Sequence, residues 1–354
     1  MAEAGAARKT AGTGGFASGS PVRCSLLSAE REEPMLGTAF AEPGVLLVEQ
    51  PGPWGHAGLS ASRFDSAVAE GLAVRARAAG LRVLAIRRPA GGFDGPRRRW
   101  AVWRAPEPER AEHAGGSGTG GEGAPPARGL QASLPADPEA RHHTLPGLLW
   151  SDFGADAELL DVPLDGSAGE ADPEPLYLVC AHGKRDVCCA LRGRPLAAAL
   201  ETRRPGRVWE CSHTGGHRFA PIVLALPTGA LYGRVPGSDA DGADALIAAT
   251  ERGEVVPDLL RGLIGFAPVE QAAIGHVMMA LSLTDPRAVR LRSSVETAPG
   301  RWEARVDVRG PAGAGSSPWL VRLAVESVEI SYASCAKPAA KAERELRLVE
   351  LLAQ

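Results

Sequence analysis

Apolar residues recur along the chain with two different spacings, and these spacings predict alternating strands and helices. Residues 45–49 and 176–180 form short apolar runs that lead into glycine-containing loops, which is typical of buried strands. After the first run, Phe64, Val68 and Leu72 recur every four residues and Gly80 follows them. This pattern predicts a helix that ends at the glycine.

The same order of predicted elements occurs twice. Two strands, over 82–89 and 97–105, follow the first helix. The second copy continues with a helix over 194–201 and a strand over 207–211. Another helix from residue 218 and a strand over 229–235 follow. We interpret this repetition as a degenerate duplication of a β-loop-α-β unit. The sequence therefore predicts an α/β fold with two tandem halves, and only the second half carries metal-ligand residue types.

The C-terminal part continues with a mixture of helical and strand patterns. It predicts helices over 239–256 and 268–283 and strands over 301–310 and 319–332. Leu346, Val349 and Leu352 are three residues apart within 339–353, which predicts a final amphipathic helix. His276 lies inside the apolar helix and is expected to be a core histidine rather than a ligand.

Glycine, proline and charged residues mark the expected domain boundaries. The stretch from Ala105 to Gly129 has no periodic apolar pattern and is expected to be a linker. The predicted segments are a flexible tail over 1–20, a first half without ligands over 21–104, a Gly/Pro-rich linker over 105–140, a cluster-binding half over 141–250, and a C-terminal α+β extension of unknown role over 251–354.

Composition and charge exclude several broad classes of function. The net charge of −3 argues against a nucleic-acid-binding protein. No apolar run approaches the roughly 20 residues that span a bilayer, so no membrane association is expected. The N-terminus has no apolar segment typical of a secretion signal. We therefore expect a cytoplasmic protein.

The six cysteines are distributed unevenly. Four of them, Cys180, Cys188, Cys189 and Cys211, fall within 32 positions and alternate with histidines. Clustered cysteines and histidines in a reducing compartment indicate metal or redox chemistry rather than a disulfide framework. Cys24 and Cys335 lie far from this group and are expected to be small buried hydrophobic residues.

Two ligand sets fit the spacing. The first uses the repeated C-x-H pattern, Cys180–His182 and Cys211–His213, and resembles a Rieske centre. The second takes two thiolates from one loop and two imidazoles from the next: Cys180, Cys189, His213 and His217. In the second set, the glycines at 215 and 216 let the backbone approach an inorganic cluster closely.

The segments "VCAHGKRDVCCALRGRPLAAAL" and "VWECSHTGGHRFAPIVLALPTGALYGRV" resemble the sucrase/ferredoxin-like family of thioredoxin-like ferredoxins. With "RCSLLSAEREEPMLGT" and "LLVEQPGPWG", the resemblance covers about residues 23–235, excluding the linker. It implies two thioredoxin-like halves and a [2Fe–2S] cluster bound by Cys180, Cys189, His213 and His217. A shift of one residue would make Cys188 a ligand in place of Cys189.

The resemblance implies an electron carrier, and the imidazole ligands would raise its potential and couple electron uptake to proton uptake. The segment from Cys180 to Arg218 contains eight Arg or Lys residues and only three Asp or Glu residues. Because this segment is positively charged, an acidic reductase is the expected partner. The electron donor and acceptor are not identified.

A structural Cys₂His₂ zinc site is the alternative function, and thiol chemistry at Cys188 and Cys189 is a minor alternative. No carboxylate pair indicates glycoside hydrolysis.

Overall fold

The computed structural model describes residues 23–89, 97–105, 147–236, 240–310, 315–330, 332–335 and 341–354. The predicted tail over 1–20, and all but the first residue of the linker over 105–140, lie outside these ranges. Among the described residues, no helix has both the length and the apolar character needed to cross a membrane.

Five α-helices lie in the described ranges: α1 (Cys24–Glu30), α2 (Ser66–Ala78), α3 (Val187–Arg203), α4 (Ala240–Glu251) and α5 (Pro268–Ala280). The strands are β1 (Gly44–Glu49), β2 (Leu81–Arg87), β3 (Arg98–Arg104), β4 (Leu148–Phe153), β5 (Glu170–Asp172), β6 (Leu176–Cys180), β7 (Val208–Cys211), β8 (Val223–Leu226), β9 (Ala230–Tyr232), β10 (Leu260–Leu263), β11 (Val289–Ala298), β12 (Arg301–Arg309), β13 (Ser316–Ile330) and β14 (Lys341–Ala353).

Ten strands form one mixed sheet that contains the predicted duplication. The strand order is β10-β9-β8-β6-β7-β2-β1-β3-β4-β5. β1 is parallel to β2 and antiparallel to β3, and β6 is parallel to β7 and antiparallel to β8 in the same way. The two halves meet where β2 pairs with β7. The expected α/β fold with tandem halves is therefore confirmed.

The strands at the outer edges of the two halves lie outside the segments that were predicted for those halves. β4 and β5 extend the first half, although both lie in the segment predicted as the second half over 141–250. β10 pairs with β9 and extends the second half, although it lies in the segment predicted as the C-terminal extension.

Each half packs its crossover helix against one face of its central strand. Leu46 and Val48 of β1 lie in a buried cluster with Leu72 of α2. Val179 of β6 lies in another with Leu196 of α3. The residues between these positions in both strands point to the opposite face of the sheet and belong to a different buried cluster. Successive side chains of a strand alternate between the two faces in this way. The end of β6 is therefore held in a packed core.

A second sheet follows, with the antiparallel order β11-β12-β13-β14. Helix α5 contributes Ile274 and Val277 to the same buried cluster as Leu291 of β11 and Val321 of β13. The predicted helix over 268–283 and the predicted strands over 301–310 and 319–332 are present in this region.

Two predicted helices are wrong. The described part of the segment predicted as a helix over 339–353 is strand β14 (Lys341–Ala353), which pairs with β13 along most of its length. The predicted apolar stripe is divided, since Val349 and Leu352 remain 55% and 36% exposed while Leu346 packs against a buried cluster. Pairing with a long partner strand outweighs helix propensity here. The helix expected from Arg218 is a single 3₁₀ turn, His217–Phe219, followed by β8. Both of these corrections affect segments that approach the candidate metal centre.

Candidate metal centre

The two predicted thiol ligands lie where β6 ends and α3 begins. Cys180 is the last residue of β6, and Cys189 lies in the first turn of α3. Asp186 caps this helix and accepts a hydrogen bond from the Cys188 amide at 2.9 Å. A Cβ atom at Gly193 would lie 2.2 Å from the Cys180 carbonyl oxygen, so the glycine lets α3 pack directly against the strand end. This packing brings the two thiols together.

The two predicted imidazoles, His213 and His217, lie in the loop between β7 and β8. Because β6 and β7 are parallel and their last residues are paired, this loop starts beside the thiols. Gly215 and Gly216 have φ angles of 89° and 66°, in the left-handed region that favours glycine. These conformations turn the chain so that both imidazoles lie on the same side, with ring centroids 5.3 Å apart.

Three of the four predicted ligands form one compact donor group. The sulfur atoms of Cys180 and Cys189 and a ring nitrogen of His213 all lie within 4.8 Å of one another. The Cys189 sulfur is 4.0 Å from Nδ1 of His213. His217 is outside this limit, and its ring is stacked obliquely beside that of His213. The arrangement is a trio of donors with a fourth imidazole next to it.

His217 has one ring nitrogen that is free to bind a metal. Its Nε2 donates a hydrogen bond to the Ala333 carbonyl at 2.9 Å, while Nδ1 is buried and has no partner among the described residues. A backbone carbonyl on the far nitrogen is the usual way in which a protein orients a metal-binding histidine. Burial lowers the pKa of His217, with Asp186 opposing the shift, and thereby favours the neutral form that binds metals. These residues fit a metal group.

The two thiols are coupled to each other. A hydrogen bond from the Cys189 thiol lowers the pKa of Cys180 well below the usual value for cysteine, and His213 acts in the same direction. The same hydrogen bond, together with burial, raises the pKa of Cys189. The pair therefore holds one thiolate readily, and ionisation of both thiols requires an additional positive charge.

Arg261 of β10 packs against the loop between β7 and β8, the histidine loop, and our sequence interpretation missed this residue. Its side chain is fully buried; Nη1 donates to the Gly215 carbonyl at 3.0 Å, and Nε donates to Thr38 Oγ1 at 3.0 Å. A Cβ atom at Gly216 would lie 2.4 Å from the guanidinium. Burial lowers the pKa of Arg261 to about 9, so it remains a cation at neutral pH. A single arginine in an otherwise apolar strand was the available signal.

One comparison with known proteins matches part of this chain. Residues 126–262 match the sucrase/ferredoxin-like family. The matching segment contains all four predicted ligands and Arg261, and it confirms the resemblance that the sequence motifs indicated. No curated protein and no solved structure matches the chain.

The Rieske-like set, Cys180, His182, Cys211 and His213, does not form one donor group among the described residues. Nε2 of His182 donates to the Gly55 carbonyl at 2.6 Å, and its Nδ1 accepts from the His213 amide at 3.2 Å, so both ring nitrogens are engaged by backbone. Cys211 is fully buried in the core, and burial raises its pKa. Neither residue belongs to a compact donor group among the described residues.

A second donor group lies next to the first, and sequence reasoning did not find it. Cys188 points away from Cys189 and meets Cys24 and Cys335, with Asp186 beside them, and one donor atom from each of the four lies within 4.8 Å of the others. Cys24 and Cys335 are therefore more than isolated buried residues. Their distance in sequence gave no signal, because only the fold brings α1 and the segment before β14 to α3.

A cavity of about 370 Å³ opens beside the first donor group. His182, Arg185 and His213 line it on one side, and the loop over 56–60 lines it on the other. Nη1 of Arg185 lies 3.2 Å from Nδ1 of His56 across the cavity. His213 is half-exposed at this position, so the cavity leads from the surface to one of the predicted ligands.

The basic residues of the region divide into two groups. Four of the eight make ion pairs within the protein: Arg203 with Asp244, Arg204 with Glu251, Arg207 with Asp172 and Arg218 with Glu33. The other four, Lys184, Arg185, Arg192 and Arg194, form no ion pair within the described ranges, and Lys184 and Arg194 are exposed. About half of the positive charge is therefore available to a partner.

Proposed function

We propose that Cys180, Cys189, His213 and His217 bind one [2Fe–2S] cluster and that the protein transfers single electrons. Two thiols and two imidazoles adjoin one another at the ends of two neighbouring strands. The observation that carries the proposal concerns Nδ1 of His217, which is buried beside the compact trio of the other three residues and has no hydrogen-bond partner in the described part of the chain. An orphaned buried nitrogen is costly unless it has a ligand.

The residues of the chain have separate tasks in this proposal. Gly193 keeps α3 close enough for Cys189 to reach Cys180. The Ala333 carbonyl holds the proton of His217 on Nε2, which leaves Nδ1 for the metal. Arg261 fixes the histidine loop and contributes a buried positive charge. A bound cluster supplies reversible one-electron chemistry, and its imidazole ligands raise the potential relative to thiolates.

A structural zinc ion with the same four ligands is the second candidate. The compactness of the trio favours it, because three donor atoms within 4.8 Å of one another suit a single ion. The family match to ferredoxin-like proteins favours iron. The two candidates share their ligands and differ in metal, sulfide and colour.

The metal content of anaerobically purified full-length protein tests the proposal. We expect a red-brown protein with about two irons and two acid-labile sulfides per chain, which undergoes a one-electron reduction with dithionite. A colourless protein without sulfide, which binds one zinc fewer per chain after Cys180→Ser substitution, would establish the structural zinc site instead.

The exposed basic residues support a further part of the proposal, that an acidic redox partner docks over the cavity. Lys184 and Arg185 come two and three residues after His182, and Arg192 and Arg194 lie further along the chain in α3. The cavity reaches His213 from this side. A partner with a negative surface would be attracted to the entrance nearest the ligands.

A further inference from the structure

The second donor group connects three parts of the chain that are far apart in sequence. Cys24 is the first residue of α1, Cys188 lies in the first turn of α3, and Cys335 lies between β13 and β14. Cys24 is 164 positions from Cys188 and 311 positions from Cys335. All three are free thiols.

The spacing of the three sulfur atoms matches one metal ion. The distances are 3.7 Å between Cys24 and Cys188, 3.3 Å between Cys188 and Cys335, and 3.6 Å between Cys335 and Cys24. A tetrahedral zinc ion with Zn–S bonds of about 2.3 Å separates its sulfur ligands by about 3.8 Å. All three distances are much longer than the roughly 2.05 Å of a disulfide bond.

Asp186 completes the group. Its side chain is fully buried, and its oxygens lie 3.7 Å and 3.9 Å from the sulfur of Cys24. Oδ1 accepts one backbone hydrogen bond, from Cys188, whereas Oδ2 accepts from Cys335 N at 2.8 Å and Ser334 Oγ at 3.0 Å. Because a carboxylate oxygen has two lone pairs, Oδ1 keeps one for a fourth ligand bond.

We propose that Cys24, Cys188, Cys335 and Asp186 bind one Zn²⁺ ion in a closed structural site, separate from the proposed cluster. Three thiolates and one carboxylate form a donor set that zinc accepts, and four protein ligands leave no open position for a reaction. The site rests on its own residues and does not depend on the proposed function of the first donor group.

The electrostatics of the group are compatible with a bound cation. A hydrogen bond from the Cys24 thiol lowers the pKa of Cys188 to about 5, while the same contact raises the pKa of Cys24 and burial raises that of Cys335. Without a metal the trio holds one thiolate and two thiols. A bound dication deprotonates its thiol ligands, and the amide of Cys24, 3.3 Å from the Cys335 sulfur, supports the resulting charge.

The proposed ion would also organise the neighbouring donor group. Cys335 lies two residues from Ala333, whose carbonyl orients His217, and Asp186 caps the helix that carries Cys189. Zinc would therefore fix the C-terminal hairpin and α1 against α3. Closing such long loops with a metal constrains the unfolded chain more than closing short ones. The C-terminal part thereby acquires a role in the site.

Metal analysis of full-length variants tests this site. The parent, purified anaerobically, incubated with ZnCl₂ and desalted, is expected to hold about one zinc per chain in this site. Cys24→Ser and Cys335→Ser should lose that zinc. Cys211→Ser, which removes a fully buried cysteine outside both groups, should retain it.

Cys180→Ser separates this proposal from the proposed function. It should remove the metal of the first donor group, whether iron or zinc, and keep the zinc of the second. A parent without retained zinc, or zinc that persists in both Cys24→Ser and Cys335→Ser, would overturn the second site whatever the iron content.

Peptide mapping of the parent gives an answer that does not depend on the folding of the variants. Iodoacetamide should label the half-exposed Cys335 only after a chelator has removed zinc, while Cys211 stays unlabelled in both states. Equal labelling of Cys335 with and without zinc, or a disulfide among Cys24, Cys188 and Cys335 in anaerobic protein, would contradict the proposal.

Discussion

Cys188 and Cys189 are adjacent in the chain, yet their sulfur atoms belong to different donor groups. The Cys188 sulfur lies 3.3 Å from that of Cys335, whereas the Cys189 sulfur lies 4.0 Å from Nδ1 of His213. Consecutive side chains on a helix are about 100° apart, so the first turn of α3 directs them into two sites. The pair does not form a redox dithiol in this arrangement, which disfavours the thiol oxidoreductase alternative.

Substitution of Cys189 should reduce the iron content, whereas substitution of Cys188 should not. Cys189→Ser is expected to lose most of the iron and sulfide, because it removes a proposed cluster ligand. Cys188→Ser should keep both and lose zinc instead. Iron, sulfide and zinc per chain provide the measurement. Loss of iron from Cys188→Ser with retention in Cys189→Ser would show that the ligand is displaced by one residue.

Replacing Gly216 should damage the histidine loop specifically. An alanine in the left-handed region costs about 1–2 kcal/mol, and in Gly216→Ala the new Cβ would also collide with the guanidinium of Arg261. Gly206→Ala is the matched control, since its φ is 77° and no atom lies within 4 Å of the added Cβ. Thermal unfolding should show a loss in both, whereas iron content should fall only in Gly216→Ala. Equal iron in the two variants would disagree with this role of the loop.

Removing the buried cation should lower the reduction potential. In Arg261→Met, the reduced and more negative state loses a stabilising charge, and we expect a decrease on the order of tens of millivolts. Arg252→Met removes an exposed arginine paired with Glu254 and should leave the potential unchanged. Voltammetry of iron-replete protein measures both. An unchanged potential in Arg261→Met would mean that the residue acts only by holding the Gly215 carbonyl.

Acidification should destabilise the protein partly through His276. Burial lowers the pKa of this histidine in the folded state, so the unfolded chain binds the proton more readily. The stabilisation is present above the unfolded pKa of about 6.5 and is lost as pH falls through the folded value, by up to about 1.4 kcal/mol per pH unit. His276→Gln should reduce the slope of unfolding free energy against pH in urea titrations. An identical slope in the variant would exclude this contribution.

The exposed basic residues should steer anionic redox partners. Ferricyanide serves as an anionic probe, and its oxidation of the reduced protein should become slower as ionic strength rises. The rate should also fall several-fold in the double variant Lys184→Glu/Arg194→Glu. Arg301→Glu changes an exposed charge in the second sheet and should have little effect. Stopped-flow rates at several salt concentrations measure these differences. A rate independent of both salt and the double substitution would contradict docking at this face.

The local pattern of the sequence determined the repeated fold and indicated the residues of the proposed donor group. Apolar runs of strand length, each followed by a glycine loop and a helix, were sufficient to predict the tandem α/β halves, because burial and period largely decide such elements. The spacing of Cys180, Cys189, His213 and His217 indicated one donor group, since each pair lies within a single loop. These relationships are local and can be read along the chain.

The tertiary structure decided everything that depends on distant contacts. The segment 339–353 has the spacing of a helix, but its described residues 341–353 pair with β13, because a long partner strand was available. Cys24 and Cys335 became part of a donor group only when α1 and the C-terminal hairpin met α3, and Arg261 became a support only when β10 joined the sheet. Sequence periodicity reports which face of an element is buried, whereas contacts between residues hundreds of positions apart depend on how the elements pack.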